Sequence, residues 1–175
     1  SKVYDKRKKG FRPLKGGICV SKALIIYFSM TGHTEQVAHQ MAESLGADLY
    51  HIQAEHPYTR KDLDWTIPDS RANLEQKNST SRPLYQGNLP DIADYDTVIF
   101  GHPIWWGIPP RILYTVIEDL ELTGKKVASF ATSGGSSYGQ AQLEMDWLLD
   151  RPLRGRILSN KASISSWLTD NQLKK

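Results

Sequence analysis

A single cysteine, Cys19, occurs in 175 residues. An internal disulfide and any cysteine-based metal site are excluded, and a reducing compartment is the natural setting. No apolar run approaches the ~18 residues that span a bilayer. An apolar N-terminal segment of the secretory kind is missing as well, so the expected location is cytoplasmic. The chain has neither Gly-x-Gly-x-x-Gly nor Gly-x-x-x-x-Gly-Lys-Ser/Thr, which disfavours the usual dinucleotide and P-loop sites. His33, His39, His51, His56 and His102 contain no pair at the i, i+4 spacing of helix-borne metal ligands, and no metal site is expected.

The net charge of +3 is unevenly spread. Residues 1–22 carry eight basic side chains against Asp5 alone, whereas residues 23–175 carry fourteen basic against eighteen acidic. The length suits one domain with a tail. We therefore expect a basic N-terminal arm over 1–22 and one mildly acidic domain over 23–175. The arm has no amphipathic pattern and little aromatic interleaving, so neither specific nucleic-acid binding nor a membrane span is expected.

What is present centres on Ala23-Leu-Ile-Ile-Tyr-Phe-Ser-Met-Thr-Gly-His-Thr34. Its apolar half, Ala23 to Phe28, suits a strand buried on both faces. Val37, Ala38, Met41, Ala42 and Leu45 then recur at helical spacing until Gly46. Between them lies a loop of hydroxyls and glycine that opens a helix. The first N–H groups of a helix lack partners and its dipole makes that end positive. A phosphate suits this position, and Gly32 lets the main chain approach it. Because the loop holds no Lys or Arg, a monophosphate fits better than a triphosphate. Ser, Thr and Gly also make ordinary caps and turns, so the stretch alone leaves both readings open.

Downstream, Ala47–Gln53 alternates like an edge strand. Ala54–Asp94 is long for a crossover. It predicts an insertion with a helical turn at Tyr58–Trp65, a helix over Ser70–Asn78 and an irregular Ser79–Pro90. Its Trp65, Arg71, Glu75, Arg82 and Tyr85 either cover a site or pack the insertion. Further strands are predicted at Tyr95–Gly101, Lys126–Ala131 and Arg156–Ser159. Helices are expected from Ile108 with Leu120 in the stripe, from about Gln140, and over Ser163–Gln172. Strands alternating with helices imply an α/β fold with an open, doubly wound, five-stranded parallel sheet. Order 2-1-3-4-5, or half of a dinucleotide fold, satisfies this rhythm. In the former, ligands sit beyond the carboxyl ends of strands 1 and 3, where the order reverses.

Three loops then share one edge: Ser29–Thr34, His102–Gly107 and Thr132–Gly139. Trp105 and Trp106 either tuck into the insertion or a homodimer partner, or lie against an aromatic ring. Ser133, Gly134, Gly135 and Ser136 expose amides able to donate to a heterocycle.

Taken together, Ser29-Met-Thr-Gly-His-Thr34, Tyr58-Thr with Asp62-Leu-Asp-Trp65, Ser70-Arg71, Ser81-Arg-Pro83, Pro103-Ile-Trp-Trp-Gly107 and Phe130-Ala-Thr-Ser-Gly-Gly-Ser136 resemble the bacterial flavodoxin-like family. The likeness runs from Ala23 to about Leu168. It differs from short-chain electron carriers in a less acidic surface and in a third loop without an aromatic over the ring. The resemblance implies non-covalent FMN. Ser29, Met30, Thr31, Gly32, His33 and Thr34 would hold the phosphate, with Met30 contributing backbone. Pro103, Ile104, Trp105, Trp106 and Gly107 would line the ring, and Ser133, Gly134, Gly135, Ser136 and Tyr138 would complete its site, with Gly139 nearby. No catalytic general base is needed, because the flavin carries the chemistry. Three readings stay open: electron transfer to a redox partner protein or small acceptor, an NAD(P)H-dependent FMN reductase of quinone type, and a non-redox binding module.

Overall fold

The computed structural model describes residues 22–174. The expected basic arm, apart from Lys22, lies outside them, as does Cys19. Five parallel strands stand in the order β2-β1-β3-β4-β5. They are β1 (Ala23–Tyr27), β2 (Asp48–His51), β3 (Thr97–Pro103), β4 (Lys126–Thr132) and β5 (Arg156–Ile157). The helices are α1 (His33–Leu45), α2 (Arg71–Lys77), α3 (Arg111–Glu118), α4 (Gly139–Leu149) and α5 (Lys161–Asp170). The predicted sheet order is therefore present.

Side chains of β1 point alternately to two cores, as strand geometry requires. Leu24, Ile26 and Phe28 join Val98 and Phe100 under α3, α4 and the insertion. Ile25 and Tyr27 join Ile99 and Phe130 under α1 and α5, where Val37, Met41, Trp167 and Leu168 pack. Because both faces are covered, the central strands read as unbroken apolar runs.

Several predicted boundaries move for local reasons. The last strand is only Arg156–Ile157, because Asn160 and Ser163 form a capping box that opens α5 at Lys161 and Ser159 N–H donates to the Ser163 hydroxyl. Pro110 sits at the N-cap of α3 rather than inside its first turn, and Leu120 falls beyond that helix. Within the insertion, Ser70 caps α2 by accepting from Asn73 N–H. An antiparallel bridge between Ala54 and Tyr85 closes the base of the insertion. Arg82 grips Glu118 through Nε and Nη2 at 2.9–3.1 Å, and Tyr85 Oη donates to Asp119 at 2.8 Å. The insertion is thus pinned to α3.

Trp167 is fully buried against Phe130, and its Nε1–H donates to Arg154 O at 2.9 Å. Trp167→Ala should lower stability by roughly 3–5 kcal/mol in chemical unfolding, since it leaves a large cavity and an unpaired carbonyl. A loss below about 1 kcal/mol would show that α5 is not part of the cooperative unit.

Candidate functional site

β1 ends at Tyr27 and the chain reaches α1 through Phe28–Gly32. Gly32 takes φ +91°, a left-handed value open to glycine at little cost. This turn leaves the N-terminus of α1 facing the carboxyl edge of the sheet. Ser29 Oγ accepts from Glu35 N–H at 3.2 Å, and Gly32 O accepts from Gln36 N–H. Among the described residues, no group accepts from the backbone N–H of Met30, Thr31, Gly32, His33 or Thr34. Donors without a partner at a positive helix end are suited to an anion. The Thr34 hydroxyl is buried and bonded to Thr132 Oγ1 at 2.7 Å, which ties this loop to the end of β4.

Beyond β3 the chain makes a two-residue turn. Trp105 and Ile108 exchange both backbone hydrogen bonds, at 2.9 and 3.2 Å. The central residues, Trp106 and Gly107, have φ +55° and +82°. Such mirror-image turns favour Asn and Gly, so a tryptophan there is under strain of about 1–2 kcal/mol. A side chain at Gly107 would also collide with Gln140 at the start of α4. Trp105 packs edge-on to Phe28 and to Tyr58 of the insertion, with centroids 5.7 and 5.4 Å apart. Trp106 keeps 42% of its surface exposed. Trp105 is thus the half-buried indole that packs on the insertion, and Trp106 the exposed one.

Two adjoining lobes form one groove across the ends of β1, β3 and β4. An apolar lobe of about 440 Å³ is walled by Met30, Thr34, Leu63, Trp65, Ile104 and Trp106. A more polar lobe of about 410 Å³ is walled by His33, Gln36, Thr132, Ser133, Gly134 and Ser159. Thr31, Pro103, Ile104 and Trp105 line both. The first two loops and the start of the third thus meet, as the sheet order requires.

The third loop differs from expectation beyond Gly134. Ser133 Oγ accepts from Gly135 N–H at 3.2 Å and Ser136 N–H at 2.8 Å, so those amides are already engaged. Neither residue lines the groove, and both are exposed. Tyr138 is buried behind β4, where its hydroxyl bonds Ser129 and its ring fills the space that a side chain at Gly155 would need. Burial pushes its phenol pKa up. It packs with Ala131 and Ala141 and does not line the groove. Of the insertion residues, Trp65 reaches the groove. Arg71 lies over the Tyr58 ring at 3.8 Å and pairs with Glu75, which accepts from Tyr58 Oη at 2.7 and 2.8 Å. Burial raises the Glu75 and Tyr58 pKa values. Arg71 and Glu75, like Arg82 and Tyr85, hold the insertion together or to α3. Leu63, Gln36 and Ser159 are lining residues that carry no motif signal. Among the described residues, no group of three metal-ligating side chains gathers and no helix is long and apolar enough to cross a membrane.

A family model for flavodoxin matches residues 22–169. This chain belongs to the flavodoxin family. A candidate flavoprotein of Bacteroides eggerthii is similar at 40% identity, covering 89% of this chain and 100% of its own, with a TM-score of 0.83. A second, from Bacteroides uniformis, is 38% identical over 85% of this chain and 98% of its own, at a TM-score of 0.81. A Lactobacillus acidophilus flavoprotein solved in complex with FMN is 22% identical, covers 85% of this chain and 99% of its own, and has a TM-score of 0.69. That last likeness is one of fold.

FMN is the group that the family implies, and the donor set fits it. The five free amides and the hydroxyl of Thr31 suit a phosphate without a cation, and the apolar lobe suits a flat ring.

One titratable group lies just under the ring loop. His102 is fully buried, and its Nδ1–H donates to Pro103 O at 2.8 Å while Nε2 has no partner among the described residues. Burial lowers its pKa from 6.5 to about 4, against the opposing pull of that carbonyl. Unfolding releases a histidine that protonates more readily. The His102 contribution to stability should therefore be constant above about pH 6.5 and fall as pH drops from 6.5 towards 4, by an amount on the order of 3 kcal/mol. His102→Leu should flatten that slope in pH-dependent urea unfolding; an unchanged slope would assign it to other groups.

Proposed function

We propose that this protein holds FMN non-covalently in the groove and serves electron transfer or oxidoreduction through it. The observation that carries this reading is the meeting of an amide seat and a strained, exposed indole turn in one cleft at the point where strand order reverses. Bound FMN supplies the capacity to take up and release electrons. Met30 to Thr34 would seat its phosphate by backbone N–H groups, with Ser29 and Thr31 hydroxyls beside them. Trp105 and Trp106 would face the ring, and Ser133 with the Gly134 amide would meet its polar edge. The apolar lobe excludes water from the ring, which makes added charge there costly and so biases the potential downward.

Partners are a redox protein or a small electron acceptor. FMN titration of flavin-stripped protein should give saturable quenching of flavin fluorescence. Riboflavin, which lacks the phosphate, should bind at least roughly tenfold more weakly, as loss of charge-assisted hydrogen bonds requires. Equal binding of the two would remove the phosphate seat. Steady-state oxidation of NADPH with a quinone, no faster than with free FMN, identifies a carrier; a clear rate excess identifies a reductase.

Trp106→Asn should separate stability from binding. Asparagine suits a left-handed turn, so the variant should gain roughly 1 kcal/mol in unfolding while binding FMN less tightly. A variant that binds FMN as wild type does would take Trp106 out of the site.

A further inference from the structure

Trp65, Leu74 and Leu84 are the large exposed apolar side chains of the insertion, and of these Trp65 lines the groove. It leaves 72% of its surface exposed and belongs to neither large core. Exposed apolar area of that size at the rim of an apolar lobe marks a surface that something else covers. The turn that carries it is nevertheless firmly held. Asn73, 3% exposed, donates through Nδ2 to Trp65 O at 3.1 Å and to Ile67 O at 2.7 Å. Three residues along α2, on the same side of the helix, the buried Gln76 donates to Trp105 O at 2.9 Å and Pro109 O at 3.2 Å. Gln76 Oε1 also accepts from Arg111 N–H at 3.2 Å. Two buried amides of one short helix thus fix the backbone of two indole-bearing loops. A buried amide is tolerated only when bonded, so each loop is held as firmly as the core around α2.

We propose that Trp65 is a second wall of the ring site, and that α2 is the bracket setting the gap between it and the Trp105–Trp106 turn. This rests on the FMN reading above. A flat ring entering the apolar lobe covers the Trp65 indole as well as Trp106, and the two walls come from segments some forty residues apart in sequence. Asn73 and Gln76 are positioning residues. They reach the ring through the carbonyls of Trp65 and Trp105, not by contact.

The test is FMN titration of flavin-stripped wild type, Trp65→Ala, Trp65→Phe, Asn73→Ala and Trp147→Ala, with visible circular dichroism of the bound flavin and thermal melts without flavin. Trp147 is a control, an indole 68% exposed on α4 away from the groove. Trp65→Ala should weaken FMN binding roughly three- to tenfold, as the loss of one aromatic contact implies, and Trp65→Phe should restore most of it. Trp147→Ala should bind as wild type does. Asn73→Ala keeps the indole but frees its turn; it should weaken binding and alter the flavin dichroism. Wild-type affinity and dichroism in Trp65→Ala would overturn the wall, and an unaltered Asn73→Ala would overturn the bracket. Wild type that takes up no FMN would instead overturn the binding reading itself.

Discussion

β1 has β2 on one side and β3 on the other, and the chain leaves these two neighbouring strands in opposite directions across the sheet. Right-handed crossovers then send α1 to one face and α3 to the other. The carboxyl ends of β1 and β3 cannot be covered by either connection, so a cleft opens between them. That constraint places every element of the candidate site. The helix end with free amides faces the cleft because α1 starts there, and the tryptophan turn faces it because β3 stops there.

Around this cleft the molecule accepts local costs. Trp106 adopts a backbone conformation that glycine or asparagine would take more readily. Trp65 and Trp106 leave 72% and 42% of their surface exposed at the rim, and the buried His102 keeps one ring nitrogen without a partner among the described residues. Elsewhere the cores are conventional, with large apolar residues filling both faces of the sheet. Departures of this kind are characteristic of sites under other demands.

The insertion between β2 and β3 ties the site to the rest of the fold. The Arg82–Glu118 salt bridge and the Tyr85–Asp119 hydrogen bond anchor it on α3, while α2 reaches into the core with two amides. Movement of the insertion would shift Trp65 and Trp105 together. The tryptophan side of the groove therefore depends on a segment remote from the Ser29–Thr34 loop.

Apolar periodicity along the chain was enough to determine the five strands, their order as one of two options, and the loops at the active edge. Those features follow from residues near each other in sequence, where burial demands a period of two or of 3.6. Ser29–Thr34 was legible for the same reason, as a hydroxyl-rich loop opening a helix. Tertiary structure alone decided which polar groups stay free. Ser133 takes up the amides of Gly135 and Ser136, Thr132 takes up the hydroxyl of Thr34, and Tyr138 turns inward onto Ser129. It also decided that Trp65 and Trp105 hang from one helix through Asn73 and Gln76. A hydrogen bond needs its partners within about 3 Å, and whether two groups tens of residues apart come that close is settled only when the whole chain has packed.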